Sequence, residues 1–104
     1  MINANFLKKN KSIIEFSISG HAFSVLNENG NDLVCAAASG IVFGILNSLN
    51  DKTNEIFVKK NFISIKTKNI NDKNNQLILN VLETSLKTLE EKNKKNIKIL
   101  VKRG

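Results

Sequence analysis

One thiol and one imidazole stand close together in this chain. Cys35 is its single cysteine and follows its single histidine, His21, by fourteen positions. Cys35 lies in Gly30-Asn31-Asp32-Leu33-Val34-Cys35-Ala36-Ala37-Ala38-Ser39, where turn-forming residues run into a long apolar stretch. His21 lies in Ser19-Gly20-His21-Ala22-Phe23, where a strand-like run stops. A thiol and an imidazole at the ends of two elements joined by a short loop can meet in space. Nucleophilic thiol catalysis needs that geometry.

The elements that must position the pair follow from the hydrophobic pattern. Ile2 to Lys8 alternates and reads as a strand. Ser12 to Ser19 reads as a second, with Ile14, Phe16 and Ile18 expected on one face and Ile13 and Glu15 on the other. Lys9-Asn10-Lys11 between them reads as a hairpin turn. Ser24 to Asn31 is rich in turn formers and reads as a loop.

Asp32 then offers an N-cap for a helix to about Asn50, apolar on nearly every face and expected to be the buried central helix. Glu55 to Lys60 and Phe62 to Lys68 read as strands around Asn61. Asp72 to Glu91 reads as an amphipathic helix burying Ile78, Leu82, Leu86 and Leu89, and Ile97 to Val101 as a last strand. The order β-β-α-β-β-α-β predicts an α+β two-layer sandwich, with both helices packed on one face of a sheet. The 104 residues suit a single domain, which buries roughly 60–70% of its unfolded surface.

If Asp32 caps the helix, Cys35 falls in its first turn. The N–H groups of that turn have no intrahelical acceptor and carry the positive end of the helix dipole. They would favour a thiolate, the reactive species, and hold an oxyanion formed at an attacked carbonyl. His21 would act as general base and then protonate the leaving amine. Ser39 lies one turn beyond Cys35 on the same face. It either donates to the site or bonds back to the carbonyl of Cys35. Asp32 either caps the helix or orients His21 as a third member. Taken alone, Cys35 also reads as a small buried hydrophobe and His21 as a polar residue at a strand end. Ala36, Gly40, Gly44 and Ser48 recur every four positions as a smooth stripe. The sheet is its expected packing partner, with a subunit interface as the alternative.

Composition narrows the function classes. The net charge of +7 suggests polyanions such as RNA as partners. The lysines are scattered, however, Arg103 is the one arginine, and no stretch interleaves basic and aromatic residues. That argues against direct nucleic-acid binding. One cysteine excludes an intrachain disulfide and fits a reducing cytoplasm. One cysteine with one histidine does not make a structural zinc site, so no metal or other cofactor is expected. The N-terminus lacks the pattern of a signal peptide, and the apolar run Leu33 to Leu46 is shorter than the ~20 residues of a membrane span.

The string Gly20-His21-Ala22, then Gly30, Asp32, Val34-Cys35-Ala36-Ala37 and Ser39 resembles the ribosomal-processing cysteine protease family, Prp. The resemblance extends over essentially the whole chain in length and element order. It implies a cysteine endopeptidase with Cys35 as nucleophile and His21 as general base. Asp32 matches the family's acidic position and Ser39 its serine. It implies removal of a short N-terminal extension from large-subunit ribosomal protein twenty-seven, with the cut after a phenylalanine. It also implies a homodimer and a flexible loop over the site, here about Ala22 to Asn31. Since that substrate is itself basic, recognition would rest on apolar residues near the cut. Two non-enzymatic readings compete: a basic ribosome- or RNA-associated binding module, and a structural subunit that dimerises through the small-residue stripe.

Overall fold

A computed structural model of the chain describes residues 1–20 and 32–104 and, at Asp32, the backbone. Five strands and two helices follow in the order β1 (Ile2–Lys9), β2 (Ser12–Ser19), α1 (Asp32–Ser48), β3 (Asn54–Lys59), β4 (Phe62–Thr67), α2 (Lys73–Glu91) and β5 (Ile97–Arg103). This is the expected order and the expected α+β architecture. The strands form one sheet in the order β3-β4-β2-β1-β5. Neighbours are antiparallel, except that β5 runs parallel to β1. Two-residue turns close both hairpins, and each uses an asparagine at positive φ: Asn10 at 58° and Asn61 at 67°. Asparagine tolerates that left-handed conformation.

One face of the sheet and the helices enclose the core. Ile2, Ala4, Phe6, Phe16, Ile18, Ile63 and Ile65 are buried from the strands. The rings of Phe6 and Phe16 lie 4.8 Å apart at the centre. From α2 come Leu79, Leu82 and Leu86, whereas Ile78 and Leu89 only flank the core.

The expected faces of β2 need a correction. The register slips between Leu7 and Lys8, so that Leu7 pairs with Glu15 and Lys8 with Ile13. The extra residue, Ile14, is a bulge, and it switches the side on which its neighbours fall. Ile13, not Ile14, is therefore fully buried. The Gln76 carboxamide satisfies the backbone there: Ile13 N–H donates to Oε1 and Nε2 donates to Ile13 C=O, both at 2.8 Å.

Helix α1 also departs from expectation. Val34, Ala38, Val42, Ile45 and Leu49 are buried at helical spacing, but the opposite face is open. Leu33 is 80% exposed and Phe43 41% exposed. The small-residue stripe is on that open side, not against the sheet: a Cβ added at Gly40 or Gly44 would meet nothing within 4 Å among the described residues.

Polar contacts lock the helices to the sheet. Asp72 caps α2 by accepting from Asn75 N–H at 3.0 Å. Glu90 Oε2 accepts Ile99 N–H at 2.8 Å, which covers part of the free edge of β5. Glu83, 6% exposed, receives Lys8 Nζ at 2.7 Å and Lys87 Nζ at 2.6 Å.

Burial alone would raise the Glu83 carboxyl pKa, but the two ammonium groups outweigh it and hold the pKa below its ordinary value. A lowered carboxylate pKa contributes stability above the unfolded-state value. That contribution is lost as pH falls through the folded one. Lys8→Met should therefore cost about 1–2 kcal/mol at neutral pH. In urea unfolding the cost should shrink as pH falls below the unfolded-state value. A cost independent of pH would contradict this role.

Candidate active site

Of the four residues singled out in the sequence, the structure places two. Cys35 stands in the first turn of α1, half-buried, and packs against the edge of the core. Its neighbours Val34 and Ala38 point into the core, while Leu33, Ala36 and Ala37 are exposed. The thiol thus lies on the flank between the buried stripe and the open face. Ser39, also half-buried, follows one turn later on that flank. Asp32 opens α1, but its side chain lies outside the described residues, as do His21 and the loop from Ala22 to Asn31.

The approach to His21 is described up to Gly20, and it explains why glycine stands there. Gly20 adopts φ 138°. A Cβ at this position would meet Met1 O at 2.9 Å and Ile2 Cα at 3.0 Å. The strand exit is therefore both strained for other residues and crowded by the start of β1. Gly20 N–H donates to Asn61 C=O at 3.2 Å, so the β3–β4 turn fixes where β2 ends. Asn61 Oδ1 is buried beside it with no hydrogen-bond partner among the described residues. That contact is forty-one positions distant in sequence and has no local signal. The described residues contain no cluster of three potential metal ligands. They also contain no helix long and apolar enough to cross a membrane.

A half-buried thiol in the first turn of a helix is suited to nucleophilic attack, with backbone N–H groups at hand for the developing oxyanion. The comparisons with known proteins bear on that chemistry. Residues 1–98 match the family described as cysteine protease Prp. The chain belongs to that family. Membership makes it a cysteine protease and replaces both non-enzymatic readings.

Solved structures agree. The essential ribosomal processing protease Prp from S. aureus has a structure with a covalently linked product peptide. It is 30% identical, with a TM-score of 0.84, over 98% of this chain and 100% of that one. Its structure with a substrate peptide gives 29% identity and a TM-score of 0.85 over the same shares. SMU.848 from Streptococcus mutans shares the fold at 20% identity and a TM-score of 0.84, over 100% of this chain and 99% of that one. A comparison with curated proteins finds no match.

Proposed function

We propose that this protease removes the N-terminal extension of large-subunit ribosomal protein twenty-seven, cutting after a phenylalanine, with Cys35 as nucleophile and His21 as its base. The observation that carries the reading is the position of Cys35. It stands in the first turn of α1, half accessible, in a chain that follows the fold of the peptide-bound S. aureus protease from end to end.

In this reaction His21 takes the thiol proton and the sulfur attacks the scissile carbonyl carbon. Negative charge moves to the carbonyl oxygen, towards the N–H groups of the α1 turn. Collapse of the tetrahedral species breaks the C–N bond. The amine leaves with the proton from His21, and the N-terminal fragment stays on Cys35 as a thioester. Water then attacks that thioester with His21 as base, releasing the fragment as a carboxylic acid. No cofactor enters. Asp32 supports the site by capping α1 or orienting His21, and Ser39 borders it. A reducing cytoplasm keeps such a thiol free.

The test is a peptide spanning the extension junction. A single cut after the phenylalanine is expected, and replacing that phenylalanine by aspartate should stop it. Cutting elsewhere, or indifference to the replacement, would refute the specificity.

The enzyme acts as a homodimer in this account, paired through the open face of α1. From Leu33 to Asn50 the sequence has no charged residue. Leu33, Ala36, Ala37, Gly40, Phe43 and Gly44 are all exposed there. Two copies that each carry +7 approach best through such an uncharged face. Gly40→Lys has room in the single chain. It should therefore give a folded monomer by sedimentation, and a dimer of unchanged affinity would exclude this interface.

A further inference from the structure

The face of the sheet turned away from the helices is open, and its register assembles what the sequence scatters. Cross-strand pairing sets Lys59, Phe62, Ser19, Asn3 and Lys98 in one row across all five strands. The next row reads Phe57, Ser64, Ser17, Asn5 and Leu100. These ten positions hold two lysines, two phenylalanines, three serines, two asparagines and Leu100, with no carboxylate. Phe57 is 45% exposed and Phe62 37% exposed. Their rings pack edge-on with centroids 6.2 Å apart, and Lys59 Nζ lies 5.3 Å above Phe57.

The third row, Glu55, Lys66, Glu15, Leu7 and Lys102, brings in the acidic groups and bounds the platform. A shallow cavity of about 330 Å³ lies where Phe57, Phe62 and Ser64 meet Lys66, Glu15 and Glu55.

We infer that this outer face is a docking platform for single-stranded RNA. Exposed aromatic rings on a sheet take the π-faces of unstacked bases, two or three at a time. Ser17, Ser19, Ser64, Asn3 and Asn5 offer hydrogen-bond donors and acceptors to base edges and riboses. Lys59 and Lys98, at opposite ends of one row, are placed for flanking phosphates. The net charge of +7 favours a polyanion over a basic protein partner. Cys35 belongs to α1 on the opposite side of the sheet, so RNA on this face leaves the thiol open to a peptide.

The test uses the full chain and a labelled single-stranded oligoribonucleotide, read by fluorescence anisotropy. Measurable binding is expected at low salt. It should weaken about seven- to eighteenfold between about 50 and about 200 mM salt, for two or three phosphate contacts. Phe57→Ala/Phe62→Ala, both exposed, should lose at least about tenfold in affinity, and Phe57→Ala alone, on the edge strand β3, should weaken binding and leave peptide cleavage unchanged. Removing three lysines elsewhere, at Lys92, Lys94 and Lys95, should weaken binding much less than removing Lys59 and Lys98.

Three results would overturn the platform. One is equal binding of duplex and single strand. Another is no loss in the double phenylalanine variant. The third is a change in that variant's sedimentation without RNA, which would assign the face to a second copy of the chain.

Discussion

Cys35→Ala should abolish cleavage of the junction peptide, lowering kcat/KM by about four orders of magnitude or more. The reason is specific to this position. No second cysteine stands in the chain to take over. Alanine is among the best helix formers and matches the Ala-rich turn around position 35, so α1 and its packing survive. The loss is then chemical and falls on kcat. Cys35→Ser should be nearly as poor, because a hydroxyl is a far weaker nucleophile than a thiolate. His21→Ala should fall by a comparable amount, and the double variant no further, since nucleophile and base act as one unit. Additive losses in the double variant would mean that the two residues work separately. Circular dichroism and urea unfolding of each variant separate this from a folding defect.

Asn75→Leu should destabilise the fold by about 2–4 kcal/mol. Asn54 and Asn75 are both buried, at 3% and 4% exposure, and face each other as a reciprocal carboxamide pair. Asn54 Nδ2 donates to Asn75 Oδ1 at 2.7 Å, and Asn75 Nδ2 donates to Asn54 Oδ1 at 2.9 Å. Asn75 Nδ2 also reaches Thr67 Oγ1 at 2.9 Å, and Asn54 Nδ2 reaches Asn50 C=O at 3.0 Å. The cluster thus ties the chain after α1 to the start of β3, the end of β4 and the first turn of α2. It fixes the end of α1 opposite Cys35.

Leucine at position 75 takes one partner from each end of the buried Asn54 amide, which keeps Asn50 C=O, Thr53 Oγ1 and Thr67 Oγ1, and it removes the donor to Thr67 Oγ1. The paired change Asn54→Leu/Asn75→Leu should cost less than the two single costs together, because it removes both halves of the pair. Simple additivity in a double-mutant cycle would show that the pair has no mutual role.

The element order was legible because each element carries its own period: alternation in β1 and β4, and spacing of three and four in α2. What escaped were effects that arise between elements. The bulge at Ile14 puts Ile13 in its place on the face of Phe16 and Ile18, yet Ser12 to Ser19 reads as unbroken alternation when its partner strand is unseen. Leu79 is buried and Ile78 only flanks the core, and two adjacent apolar residues on a helix do not say by themselves which of them meets the sheet.

Helix α1 reads as buried all round because it is apolar all round, whereas a two-layer fold covers only one side of it. The site shows the same division. Cys35 at a helix start was visible from the turn residues before it. The contact of Gly20 with Asn61 was not, since it joins two hairpins. The ten-residue outer platform was likewise hidden. Its members are drawn from five strands and become neighbours only through the register.

The most direct test of the account is the mass of the protein during turnover. Mixed with the junction peptide and quenched in acid after a short time, the enzyme should gain the mass of the N-terminal fragment less one water. Peptide mapping should place that acyl group on Cys35. An acyl group mapped to another residue, or cleavage with undiminished rate in Cys35→Ala, would contradict a thiol nucleophile at this position.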